Sequence, residues 1–233
     1  MSTSFSNQAE SRRRFLHMGV TGAVVGLLTG GLELALPPEV RAQSTLTPDG
    51  ALAELMAGNK RFVTGRMTSN EHDLAILKEK TIDKQEPFAA LLSCADSRVP
   101  VELIFDQTIG HLFVTRIAGN FVTPEIIASL EYGVAVLGTE VILVMGHANC
   151  GAVKATIQGK EAAGQISALF PHIQPAVDQA GPNLEATTKA NAKIQAALLR
   201  ESSTVISAMV KQGKVKVVAG YYDIGTGSVT ILD

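Results

Sequence analysis

Four short, largely apolar runs stand out along the chain. They read FAALLS, LFVTRI, VILVM and VKVVAGYY, at residues 88–93, 112–117, 141–145 and 215–222. Apolar runs of this length, with little alternation of polar residues, are typical of strands that are buried on both faces of a parallel sheet. The pattern therefore predicts four buried strands.

Residues between these runs show the spacing of amphipathic helices. Residues 47–66 begin with Thr47 as a capping residue and Pro48 in the first turn, and residues 123–138 begin in the same way with Thr and Pro. Residues 165–212 are also helix-like, apart from a break at AGPN. Because strands alternate with helices, we predict an α/β fold with a central, mainly parallel β-sheet flanked by helices.

The first 42 residues follow a different pattern. An arginine cluster, Arg12 to Arg14, precedes a glycine-punctuated apolar stretch that ends in small residues near Ala42. This order resembles a twin-arginine export signal. We expect residues 1–42 to be a cleaved signal peptide, residues 43–233 to form one domain, and the protein to reach the periplasm, the thylakoid lumen or the extracellular space. An uncleaved membrane anchor is the alternative.

Composition and charge narrow the possible functions. The chain has 233 residues, of which 46% are hydrophobic and 18% charged, so it can bury the core of a single domain. Its formal net charge is −2, and its basic residues form a run only at the extreme N-terminus. A nucleic-acid partner is therefore not expected, and contact with a membrane is expected only through the export signal.

The two cysteines of the chain lie directly after predicted strands. Cys94 follows FAALLS, whereas His147 and Cys150 follow VILVM with the spacing His-x-x-Cys. In an exported protein, an isolated cysteine pair favours a structural disulfide. However, the carboxyl ends of parallel strands meet at one edge of a sheet, where two thiolates and an imidazole would suit zinc. With only three such ligands, the fourth position would be open to water or to Asp96, as in a catalytic site.

Several motifs together resemble one enzyme family. They are CADSRVPVELIFDQ, RIAGN, SLEYGVAVLGT, GHANCGAVKA and VVAGYYDIGTGSV, and they extend over nearly all of the chain after the signal. The sequence is similar to the β-class carbonic anhydrases. The resemblance implies an enzyme that hydrates carbon dioxide reversibly to bicarbonate and a proton, by means of a hydroxide bound to one zinc ion per chain.

The resemblance also implies roles for individual residues. Cys94, His147 and Cys150 would bind zinc. Asp96 would either pair with Arg98 or turn to the metal and close the site. The substrate pocket would be lined by Gln85, Phe113, Tyr132 and Gly151. A homodimer or tetramer is implied too, in which the N-terminal helix packs across a partner and both chains supply pocket residues.

Two departures from the family pattern concern the surroundings of the site. Ile117 stands in RIAGN where a polar residue is usual, and Leu91 stands where some bacterial members carry a tryptophan of a bicarbonate inhibitory site. We therefore expect altered hydrogen bonding near the pocket and no such inhibitory site. Two alternative functions remain open: a carbonyl sulfide or carbon disulfide hydrolase on the same scaffold, and a non-catalytic zinc-binding or thiol protein.

Overall fold

The computed structural model describes residues 44–68, 81–160 and 162–232, which form an α/β fold. The strands are β1 (Ala89–Ser93), β2 (Leu112–Arg116), β3 (Val141–His147), β4 (Lys216–Tyr222) and β5 (Val229–Ile231). The α-helices are α1 (Pro48–Val63), α2 (Val101–Ile104), α3 (Pro124–Ala135), α4 (Gly151–Gln158), α5 (Phe170–Ala180), α6 (Leu184–Ser202) and α7 (Thr204–Lys211), and a 3₁₀ turn at Ile166–Leu169 precedes α5.

The strands of the described chain form one sheet in the order β2-β1-β3-β4-β5. The first four strands are parallel, and only β5 pairs in the antiparallel direction, with β4. The predicted mainly parallel sheet is therefore confirmed. The sequence pattern did not predict β5, because three residues are too few to show a periodicity.

Helices cover both faces of the sheet, as the apolar strands require. Leu91 and Leu143 face α1, which buries Ala51 and Leu55 against the sheet of its own chain. The next residues along the strands, including Leu92 and Val144, face α3, α6 and α7. Within the described residues, no helix is both long and apolar enough to span a membrane.

Capping residues fix where the predicted helices begin. The hydroxyl of Thr47 accepts a hydrogen bond from the Gly50 amide at the start of α1, and Thr123 accepts one from Ile126 at the start of α3. Both predicted starts are thus confirmed. The predicted break at AGPN is also confirmed, since α5 ends at Ala180 and α6 begins at Leu184.

One strand differs from its prediction. The run 112–117 was expected to be buried on both faces, but Leu112–Arg116 is half-buried to exposed. The reason is its place at the edge of the sheet, where β1 is its only neighbour among the described strands. An edge strand presents unpaired backbone groups along its outer side.

Candidate metal centre

Three buried side chains meet at the carboxyl ends of β1 and β3, which are adjacent in the sheet. Cys94 directly follows β1, His147 is the last residue of β3, and Cys150 is the residue before α4. One ligand atom from each of the three lies within 4.8 Å of the other two. The structure thus brings together the three residues that the sequence predicted as metal ligands.

The buried imidazole of His147 has the state expected of a metal ligand. Its Nδ1 lies 2.9 Å from the carbonyl oxygen of Ala148. Because a carbonyl oxygen can only accept, Nδ1 carries the hydrogen and donates this hydrogen bond. Its Nε2 is buried and has no hydrogen-bond partner. A buried nitrogen without a partner is costly, whereas a ligand nitrogen with its other nitrogen hydrogen-bonded is the usual arrangement at zinc. The donor set therefore fits a metal ion.

The two cysteines are free thiols, not a disulfide. A hydrogen bond from the Cys150 side chain lowers the pKa of Cys94 to about 4, and His147 and the Gly119 amide act in the same direction. The same contact, together with burial, raises the pKa of Cys150. One thiolate therefore forms readily, but a second buried thiolate beside it requires a cation.

Asp96 and Arg98 form a two-pronged ion pair beside the cluster. The Arg98 guanidinium donates to both carboxylate oxygens, with Nε 2.9 Å from Oδ1 and Nη2 2.7 Å from Oδ2. The Arg98 backbone N–H donates to Oδ1 as well, at 2.9 Å. These hydrogen bonds hold the pKa of Asp96 well below its usual range. Asp96 is thus in its Arg98-paired position.

The local backbone explains how Asp96 and Arg98 meet. Alternate residues of an extended segment would also point to the same side, but this segment is not extended. In the structure the chain turns at residues 97–98, and Asp96 caps that turn. The pairing is as expected, but a turn produces it. Oδ2 of Asp96 lies 3.9 Å from Nε2 of His147, so the carboxylate is next to the cluster.

The predicted pocket residues are only partly assembled. The rings of Phe113 and Tyr132 lie next to each other, with centroids 6.1 Å apart, and Tyr132 is 47% exposed. Gly151 lies beside Cys150 in open space, since a Cβ added there would meet no atom within 4 Å. Gln85 is exposed in the segment before β1. In the described chain, no hydrogen bond, ion pair or ring contact joins Gln85 or the two rings to the metal ligands.

Sequence reasoning missed several residues that support the site. Arg116 donates to the carbonyl oxygens of Cys94 and Asp96, at 2.9 and 2.6 Å, and so fixes the segment after β1. The Gly119 amide donates to the sulfur of Cys94 at 3.3 Å. Arg116 and Gly119 belong to the quoted motif RIAGN, which could have suggested them. Asn149, whose carbonyl accepts from Arg98 at 3.3 Å, lies in the quoted motif GHANCGAVKA, between His147 and Cys150.

Fold and site together define a class: an α/β protein with a Cys₂His metal centre at the carboxyl edge of a parallel sheet. A family model described as Carbonic anhydrase matches residues 89–229. Carbonic anhydrase 2 of Mycobacterium tuberculosis is 31% identical over 198 residues, which cover 80% of this chain and 93% of that protein. The chain therefore belongs to the carbonic anhydrase family, in its β class.

Solved structures agree with this assignment. A Coccomyxa β-carbonic anhydrase in complex with acetazolamide matches with a TM-score of 0.59 at 28% identity, over 69% of this chain and 80% of that chain. One of two tetrameric β-carbonic anhydrases from Sordaria macrospora matches in fold, with a TM-score of 0.61 at 21% identity, over 78% of this chain and 96% of that chain. Zinc is the metal of this class, and the three-residue cluster can hold one ion.

Proposed function

We propose that the protein hydrates carbon dioxide reversibly to bicarbonate and a proton at a zinc ion held by Cys94, His147 and Cys150. The observation that carries this proposal is the buried cluster itself, with its unpartnered His147 Nε2, in a chain of the carbonic anhydrase family. When bound, zinc supplies the Lewis acidity that makes a nucleophile from water near neutral pH.

Asp96 and Arg98 supply the remaining polar chemistry. Arg98 keeps Asp96 ionised, so that the carboxylate can accept a hydrogen bond next to the ligand cluster. Arg98 also donates to the Asn149 carbonyl, which ties the turn after β3 to the segment after β1. The ion pair therefore orients the segments that carry Cys94 and Cys150, and it holds the Asp96 carboxylate in place as a hydrogen-bond acceptor. We assign the same pocket roles to Gln85, Phe113, Tyr132 and Gly151 as the resemblance implies.

The test is to purify the chain that begins at residue 43 and to measure its zinc content and its turnover of carbon dioxide in a stopped-flow instrument with a pH indicator. We expect about one zinc ion per chain and rapid hydration. Turnover of carbonyl sulfide or carbon disulfide without hydration of carbon dioxide would instead identify the protein as a hydrolase of those substrates. Equimolar zinc without any turnover would assign a non-catalytic zinc protein.

We further propose that a second copy of the chain completes the pocket. Support comes from β2, whose outer edge has no strand neighbour in the described chain. It also comes from α3 beside β2, where Tyr132 is 47% exposed and Val136, the residue after the helix, is 50% exposed. A partner placed there would cover these apolar side chains and bring further groups to Phe113. Sedimentation of the active protein should give a dimer or a tetramer, and a fully active monomer would refute this.

Export by the twin-arginine route is a separate proposal. It rests on the arginine cluster and the small residues before position 43, which lie outside the described residues. Replacement of Arg12 and Arg13 by lysine should retain the protein on the side where it is made. Cell fractionation followed by mass spectrometry of the N-terminus would test both the location and cleavage after Ala42. An exported double-lysine variant would contradict the proposed route.

A further inference from the structure

We propose that Asn191 is a positioning residue for the metal centre, because it fixes the peptide segment that donates a hydrogen bond to the Cys94 sulfur. The inference rests on the zinc site of the proposed function. It adds that the protein tunes how much charge the Cys94 sulfur donates to the metal. Asn191 lies on α6, far from Cys94 in the sequence, and its side chain is fully buried.

Two hydrogen bonds connect Asn191 to the sulfur through one residue. The Asn191 Nδ2 donates to the carbonyl oxygen of Gly119 at 2.9 Å. The N–H of the same Gly119 donates to the Sγ of Cys94 at 3.3 Å. Both polar groups of Gly119 are thus engaged, and Asn191 determines where its N–H points.

Gln195, one helical turn further along α6, fixes the amide of Asn191. Its Nε2 donates to Asn191 Oδ1 at 3.3 Å and to the carbonyl of His172 at 3.1 Å, while its Oε1 accepts from the Val122 amide at 2.9 Å. Because Asn191 Oδ1 accepts from Gln195, its NH₂ group must face Gly119. The two amides on α6 therefore hold the loop at both Gly119 and Val122.

The loop itself depends on this external support. Gly119 has φ +90, and a Cβ at this position would lie 2.6 Å from Cδ1 of Ile173, so both the backbone conformation and the close approach to Ile173 favour glycine. Ile117, which replaces a polar residue of the family pattern, packs among apolar side chains instead of offering a hydrogen bond. The side-chain hydrogen bonds from α6 therefore anchor the loop, in addition to the backbone hydrogen bonds of Ile117 with Ser93 and Ala95.

The chemical consequence follows from the charge on sulfur. A backbone N–H that donates to a thiolate withdraws electron density from it, so that the thiolate donates less charge to a metal ion. A Cys₂His set donates more charge than three imidazoles, which opposes the ionisation of water. The Gly119 hydrogen bond offsets part of this effect, and Asn191 maintains its geometry.

The test uses cobalt(II) in place of zinc, because the sulfur-to-cobalt charge-transfer absorption reports directly on the thiolates. Asn191→Leu removes both polar groups and keeps the branched shape of the side chain, although leucine is larger. We expect this absorption to shift, because the sulfur keeps more charge when the Gly119 hydrogen bond is lost. We expect the zinc affinity in competition with a chelator to fall about tenfold, because Cys94 is no longer held in place, as for other outer-shell partners of metal ligands. Asn191→Ser introduces a smaller side chain whose hydroxyl is too short to reach Gly119, and it should act in the same direction. This variant replaces Asn191→Leu in the test if the Leu variant does not fold.

Thr187→Val is the matched control. Thr187 is also fully buried on α6, and its hydroxyl donates to the Gly181 carbonyl at 2.7 Å, remote from the cysteines in the hydrogen-bond network. This variant should lower the melting temperature yet leave the absorption and the zinc affinity unchanged. If the Asn191 variants keep the parental absorption and affinity, or if Thr187→Val shifts them equally, the inference is overturned. A parent protein without any thiolate–cobalt absorption would overturn the zinc site itself, and with it the inference.

Discussion

Replacement of Asp96 by asparagine tests the proposed role of the ion pair most directly. Oδ1 of Asp96 accepts two hydrogen bonds from Arg98, and Oδ2 accepts a third at 2.7 Å. Asparagine has nearly the same shape, but one of its two ends is an NH₂ group. Whichever way the amide is turned, a donor then faces a guanidinium N–H, so the two-pronged contact cannot be kept.

The size of the effect follows from the position of the lost acceptor. Oδ2 is the carboxylate oxygen 3.9 Å from the Nε2 of His147, so the substitution removes negative charge next to the ligand cluster. Loss of one positioned hydrogen-bonding group at a reacting centre costs about 10²- to 10³-fold in kcat. We therefore expect the hydration rate constant kcat to fall by about this range. Zinc content should stay at one ion per chain, because the three ligands are intact.

Stopped-flow hydration and metal analysis of the same protein samples provide the assay. Asp49→Asn is the control, since Asp49 also pairs with a basic residue, Lys216, at 2.8 Å, but its side chain is 84% exposed. An exposed ion pair contributes little, so this variant should retain parental activity. Parental kcat with full zinc content in Asp96→Asn would show that the carboxylate only shapes the loop.

Three further predictions concern the metal and the loop. Cys94 and Cys150 should resist alkylation until zinc is chelated, as followed by mass spectrometry; ready alkylation of the zinc-loaded protein, or a disulfide between them in active exported protein, would contradict the zinc centre. His147→Ala should weaken zinc binding in chelator competition and leave both thiols open to oxidation, whereas unchanged affinity would remove His147 from the ligand set. Gly119→Ala should lower the free energy of unfolding by about 1–3 kcal/mol in chemical denaturation, because of its positive φ and the contact with Ile173; an unchanged stability would refute the close approach.

The sequence predicted the metal ligands because their positions follow from simple rules. Cys94 and His147 come at the ends of two buried runs, and parallel strands bring such ends to one edge. The spacing of Cys150 from His147 then leaves room only for a turn, which is what residues 148–149 form. Metal ligands that lie next to strand ends in the sequence can therefore be predicted.

The surroundings of the site were less predictable, because they depend on packing between distant segments. Nothing in the helical pattern of α6 distinguishes Asn191 from an ordinary polar residue; its importance arises from the loop that packs against it. Likewise, the apolar run of β2 does not reveal that it lies at an edge, since strand order is a property of the whole sheet. Tyr132 and Gln85 could be assigned only by resemblance.

The order of strands also bears on when the metal can bind during folding. β1 and β3 are neighbours in the sheet, but β2 and α3 separate them in the chain, so a long loop must close before the ligands meet. Contacts of this kind form slowly and late. Zinc would therefore bind a sheet that is already paired, and its binding would slow unfolding more than it speeds folding. The rate of metal release would then set how long the folded protein resists unfolding.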